Sequence, residues 1–128
     1  MKLGHLVLQI MTPDGRSLKV TQVDAVVFRR RERRFELGSE IAIYPNHAPL
    51  LVRIPIAPLR YRRGDRMSYL ALGGGFAEIR ANQVLVMTPR FVAVQPGEPE
   101  PWATAAQLTQ QWRRERRDFQ QEMVGYIM

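Results

Sequence analysis

Two prolines, Pro45 and Pro49, limit what this chain can fold into more than any other feature. They lie within Ser39-Glu40-Ile41-Ala42-Ile43-Tyr44-Pro45-Asn46-His47-Ala48-Pro49-Leu50-Leu51. Each proline fixes φ at about −65° and removes a backbone donor, so a hydrogen-bonded ladder has to stop there. Ile41 and Ile43 alternate with smaller or polar neighbours before the pair, as a half-buried strand does. Leu50, Leu51, Val52 and Ile54 open a new apolar run after it. The spacing predicts strand, stiff exposed corner, strand, with Asn46 suited to turn geometry and His47 displayed beside it. A corner of this kind loses little entropy on docking to another surface. The same spacing also fits a plain tight turn in a β domain.

The flanking chain repeats the β pattern. Leu6, Leu8 and Ile10 alternate with Val7, Gln9 and Met11, and Thr12-Pro13-Asp14-Gly15 supplies a turn. Leu18 to Phe28 is rich in β-branched residues and predicts one long strand or two short ones. Arg63-Gly64-Asp65-Arg66 and Arg80-Ala81-Asn82-Gln83 have hairpin chemistry, the second with Asn82 suited to the left-handed region. Gly73-Gly74-Gly75 interrupts the alternation and predicts a bulge or a close backbone approach. Val84 to Met87 and Phe91 to Val94 finish the series. Short strands at regular turn spacing predict a mainly β sandwich or barrel.

Gln95-Pro96-Gly97-Glu98-Pro99-Glu100-Pro101 is a stiff linker. Beyond it the period changes: Ala105, Leu108, Trp112, Phe119, Met123 and Ile127 make one apolar stripe on a helix. Thr104 with Gln107 fits a capping box, and a start nearer Pro101 fits as well. The expected organisation is β-sandwich over 1–95, linker over 96–101 and a single C-terminal helix over 102–128.

At 128 residues the chain is one ordinary domain with an appendage. It has no cysteine, which excludes thiol nucleophiles, disulfide scaffolds and zinc–thiolate clusters. His5 and His47 have no metal-ligand spacing, no serine sits in a nucleophile elbow, and the glycine run is not followed by Lys-Ser or Lys-Thr. An enzyme is not expected, and neither is a cofactor. No apolar run approaches the roughly 18 residues of a membrane-spanning helix, and residues 1–10 do not look like a signal peptide. The net charge of +7 is carried mostly by arginine, with Arg29, Arg30, Arg31, Arg33 and Arg34 in one run. Such a field favours anionic partners. The run serves either as edge protection or as a nucleic-acid patch, although base-stacking aromatic residues are found only at its ends.

Ile43-Tyr44-Pro45-Asn46-His47-Ala48-Pro49-Leu50-Leu51, then Leu59-Arg60, then Gly73-Gly74-Gly75-Phe76-Ala77-Glu78-Ile79 with Asn82 and Val84, resemble the epsilon subunit of rotary F-type ATP synthases. The resemblance covers about residues 6–94. It implies a two-sheet β-sandwich of about ten strands followed by a C-terminal helical segment. It also implies a non-catalytic place in the central stalk. There the sandwich docks on the gamma subunit and on the polar loops of the membrane c-ring, coupling both to proton- or sodium-driven ATP synthesis. By motif position Glu40 and His47, with Tyr44 and Asn46 between and beside them, match the c-ring contact. Arg113, Arg114, Arg116 and Arg117 have the chemistry of the family's brake on hydrolysis, a basic helix touching the beta subunit and so the alpha/beta ring. Localisation would be peripheral, on the cytoplasmic face of the energy-coupling membrane, reached only through the complex and with no nucleic acid.

The chain also departs from the family pattern. Ala42 and Ala57 stand where glycine is usual, and Ser39 where it is common. The chain has length for one helix where the family often has a two-helix hairpin. The family's nucleotide-binding signature in that hairpin is missing, so ATP binding does not carry over. The basic run and short tail fit a divergent branch of the family. The alternative from another class is a basic β-barrel that binds nucleic acid.

Overall fold

The computed structural model describes residues 4–32 and 37–127, with side chains up to Arg117. Arg33 and Arg34 of the basic run, and the side chains of Phe119, Met123 and Ile127 in the helical stripe, lie outside the described set. The elements are β1 (Leu6–Met11), β2 (Ser17–Val23), β3 (Ala25–Arg29), β4 (Glu40–Ile43), β5 (Leu50–Arg63), β6 (Arg66–Arg80), β7 (Gln83–Met87), β8 (Phe91–Ala93) and α1 (Pro101–Ile127).

The strands are bonded in the order β2-β1-β7-β6-β5-β3-β4, with β8 also on β6. This path is creased across its two longest members. Residues 50–54 of β5 pair with residues 75–79 of β6, and that half of β6 carries β7, β1 and β2. Residues 56–63 pair with residues 66–73, and that half carries β8 on one side and β3 and β4 on the other. The halves face each other over one core that joins Leu6, Leu8, Ile10, Val84 and Val86 to Val26, Phe28, Ile43, Leu59, Leu70 and Phe91. The architecture is therefore a two-layer β-sandwich with one C-terminal helix. About ten strands were expected and eight elements are found, because β5 and β6 each serve both layers; counted layer by layer, the total is five and five.

The glycine run lies inside β6, which passes through it for 15 residues, and β5 runs 14 residues through Pro55 and Pro58. The crease lies where Pro55 and Gly74 drop out of register between Ile54↔Gly75 and Ile56↔Gly73. Gly75 has φ +118°, and a Cβ there would overlap the Met87 carbonyl oxygen. Only glycine lets β7 approach so closely. The β-branched stretch from Leu18 is two strands in different layers, parted at Asp24, with Gln22 at φ 57° where β2 slips a register step against β1.

Helix α1 begins at Pro101, with the Ala103 and Thr104 N–H groups donating to the Glu100 carbonyl at 3.0 and 3.1 Å. Proline suits the first helical position because its missing N–H would have been unpaired there. The helix lies along the outer face of β5 and β6, where Trp112 and Leu108 cover Ile56 and Ala71 as a second, smaller core. Trp102 meets Tyr69 edge-on at 6.4 Å. The Arg90 guanidinium stacks 4.0 Å above the Trp112 ring and bonds Glu115 at 3.0 Å. Arg113 Nη1 donates to the Ile56 carbonyl at 2.6 Å.

Candidate functional site

The corner between β4 and β5 carries the chain from one layer to the other at one end of the sandwich. Asn46 takes φ 68°, and its N–H donates to Asn82 Oδ1 at 2.6 Å. Asn82 Nδ2 returns a weaker bond to Asn46 Oδ1 at 3.4 Å. Asn82 is itself in the two-residue turn of the β6–β7 hairpin, where Ala81 and Asn82 have φ 49° and 60°. The Asn82 carbonyl accepts from Val7 N–H at 2.9 Å. The corner is thus tied to a turn that is in turn tied to β1. Proline stiffens it from within and asparagine from the side.

On this frame Tyr44 is 55% exposed, which is high for so large a side chain outside a contact surface. Asn46 is exposed and His47 half-buried. His47 Nδ1 stands 2.6 Å from the Ala48 carbonyl. A carbonyl can only accept, so Nδ1 carries the proton in this contact.

Glu40 is not part of this cluster. It opens β4, a strand-length from the corner, and is clasped by Arg60 through Nη1–Oε2 at 2.8 Å and Nη2–Oε1 at 3.3 Å. The Arg60 hydrogen bonds hold the Glu40 carboxyl below its ordinary value, against a smaller upward push from burial, and the charges of Arg60 and Arg29 add to the depression. The structure therefore brings Tyr44, Asn46 and His47 together and sets Glu40 apart in an ion pair.

The same end holds a second polar group that sequence reasoning missed. Asp24 sits at the β2–β3 break, and its Oδ2 accepts from Gly64 N–H at 2.6 Å and faces Arg62 at 3.8 Å. Its Oδ1 faces His5 Nε2 at 3.5 Å. A cleft of about 500 Å³ opens there, lined by His5, Asp24, Tyr61, Arg63 and Arg66 among others. The break in β-branched residues at Asp24 was the available signal; its partners, distant in sequence, gave none.

On the outer face of the first layer, Met11, Met87 and Phe76 stand side by side in register, each a little over two-fifths exposed. They line an open groove of about 400 Å³ with Pro13 and Pro89. Alternation places Ile10, Val86 and Ala77 one step along the same strands in the core, so the row necessarily faces out.

The four helix arginines divide. Arg113 is half-buried and bonded to Ile56, while Arg114, Arg116 and Arg117 are exposed. Arg116 borders the cleft at the crease.

Comparison with known proteins follows this geometry. The profile described as "ATP synthase, Delta/Epsilon chain, beta-sandwich domain" matches residues 5–94. An ATP synthase epsilon chain from Desulfitobacterium hafniense is 33% identical over 95 residues, spanning 74% of this chain and 64% of that one. That from Syntrophobacter fumaroxidans is 34% identical over 91 residues, spanning 71% and 61%. The chain thus covers less than two-thirds of the length of these relatives. Among solved structures, the Euglena gracilis mitochondrial ATP synthase OSCP/F1/c-ring assembly contains a chain of the same fold. It has a TM-score of 0.61 at 20% identity, over 80% of this chain and 62% of that one. The Tetrahymena thermophila mitochondrial ATP synthase central stalk/c-ring contains another, with a TM-score of 0.56 at 14% identity over 91% and 93%.

Proposed function

Because the chain belongs to the ATP synthase delta/epsilon chain family through its β-sandwich domain, we propose that it is a non-catalytic central-stalk subunit of a rotary F-type ATP synthase. The match over residues 5–94 carries the proposal, since it spans both layers and the corner. In this reading the corner end, with Tyr44, Asn46 and His47, meets the polar loops of the c-ring, and Glu40 with Arg60 keeps the adjoining β4 edge in shape. The outward row of Met11, Phe76 and Met87 suits the gamma subunit: a lone chain gains nothing from exposing it, and a partner that covers it removes apolar area from water. No helix among the described residues is long and apolar enough to cross a membrane; in this reading attachment is peripheral, through the complex, and the face is the cytoplasmic one.

Helix α1 is the candidate brake on hydrolysis. Arg114, Arg116 and Arg117 could meet an acidic surface of the beta subunit, but a reach beyond the sandwich first requires Arg113 to leave Ile56 and Trp112 to leave its seat. Deleting residues 102–128 is expected to raise ATP hydrolysis by the assembled enzyme, and no rise would remove the brake from the proposal.

The deciding experiment is a pull-down of the tagged chain from its own membranes at moderate and high salt. Recovery of gamma with alpha and beta subunits at both salt levels is expected, because an apolar interface persists in salt. Recovery of nucleic acid alone, released by high salt, would overturn the proposal in favour of the arginine-driven alternative.

A further inference from the structure

The end of the sandwich opposite the crease has a mouth between the two layers. His5 ahead of β1 and Gln22 in β2 line one side, and Tyr61, Arg63, Arg66 and Ser68 of the β5–β6 hairpin line the other, around the cleft of about 500 Å³. Asp24 is the single carboxylate among the described residues that line it. It is already engaged, by Gly64 N–H at 2.6 Å, His5 at 3.5 Å and Arg62 at 3.8 Å. Arg63 and Arg66 flank the hairpin tip, both are exposed, and neither makes an ion pair among the described residues. Asp65 stands between them in sequence and offsets part of their charge. Residues 1–3, which precede this end and lie outside the described set, contain a lysine and no carboxylate. The neighbouring β6–β7 turn adds an exposed Arg80, with Glu78 two residues deeper along the strand.

The mouth belongs to the same end as Tyr44, Asn46 and His47: Asn46 is bonded to Asn82, Asn82 to Val7, and His5, two residues earlier, faces Asp24. Guanidinium forks match phosphoryl oxygens in geometry as well as charge. A nucleic acid rewards a continuous basic track, which Asp24 and Asp65 interrupt here. Singly charged phosphodiesters spread over a surface suit this spacing better, since basic side chains gain from each one they approach. The same end exposes Tyr44 by 55% and Met67 by 41%, and a tyrosine, apolar in body and polar at its tip, suits the headgroup level of a bilayer.

We propose that this end docks on an anionic phospholipid bilayer, with the phosphodiester of one headgroup held in the mouth by Arg63 and Arg66. The orientation rests on the central-stalk reading, in which the corner end faces the membrane; the headgroup site itself belongs to the bare chain.

The test is flotation of the full chain with phosphatidylcholine vesicles, with and without phosphatidylglycerol, at physiological salt. Binding is expected only where phosphatidylglycerol is present. Arg63→Gln and Arg66→Gln should each weaken it about five-fold, and the pair together about twenty-five-fold. Arg114→Gln, which removes the same charge on α1, should leave it unchanged. Absence of binding to the phosphatidylglycerol vesicles, or an equal loss in Arg114→Gln, would overturn the proposal. So would tighter binding to single-stranded DNA than to the vesicles, which would make nucleic acid the partner. The pull-down reads assembly and flotation reads the bare chain, so the two can fail separately. Flotation without recovery of gamma would keep the lipid site and remove only its orientation, whereas recovery of gamma without flotation would overturn the lipid site alone.

Discussion

Asn46 and Asn82 each occupy a backbone region that most side chains avoid, and each helps hold the other there. Two effects are combined in Asn82, tolerance of positive φ and an acceptor for Asn46 N–H, and substitution separates them. Asn82→Gly keeps the backbone freedom and removes the acceptor. Asn82→Ala removes both and is expected to cost about 1–2 kcal/mol in urea unfolding, with the glycine variant losing clearly less. Equal losses would mean that the side-chain bond alone matters. Glu40 makes a pH-dependent contribution. Its carboxyl is held below the ordinary value of 4.5 by Arg60, so the folded state favours the ionised form. This stability is complete above the unfolded value, and is lost as pH falls through the lower folded value. Both partners are more than a third exposed, so solvent screening limits the contribution to about 1 kcal/mol or less. Glu40→Gln should therefore be less stable than the parent at neutral pH, and the two acid-unfolding curves should converge only as pH falls through the lowered folded value, itself under 4.5, where the folded parent's carboxylate also becomes protonated.

Among the elements, those that depend on local chemistry were the legible ones. The corner at Pro45 and Pro49, the tip at Gly64 and Asp65, the turn at Asn82 and a helix after the proline-rich linker all follow from residues within a few positions of each other. The continuity of β5 and β6 does not. Proline and glycine ordinarily end strands, and only their placement opposite one another, with Pro55 facing Gly74 across the pair, turns two interruptions into one crease. The Asn46–Asn82 bond, the Glu40–Arg60 clasp and the Asp24 network likewise join residues that no local pattern relates. At the crease, Gly75→Ala should destabilise by more than about 3 kcal/mol, since the added carbon meets main chain and the φ is unfavourable. Thermal unfolding would measure it. Trp112→Ala should act differently, by freeing α1 and leaving the strands intact. Hydrogen exchange is expected to show helix amides losing protection while β1 and β7 keep theirs.

For the molecule as a whole, the two cores are separate. Among the described residues, none of those that fill the sandwich comes from α1, whose contacts form their own small cluster on the outside. A chain ending at residue 98 is accordingly expected to unfold in one cooperative step, with β content like that of the parent by circular dichroism. Loss of cooperativity would mean that the helix is needed to close the fold. In a sandwich made of independent strands, only side-chain packing resists the sliding of one layer over the other. Here β5 and β6 continue from one layer into the other, so sliding would have to stretch covalent bonds. The hairpin works as a hinge pin that is also a tendon: the layers can flex about the crease, but a load taken up at the proline corner travels along unbroken main chain to the far end.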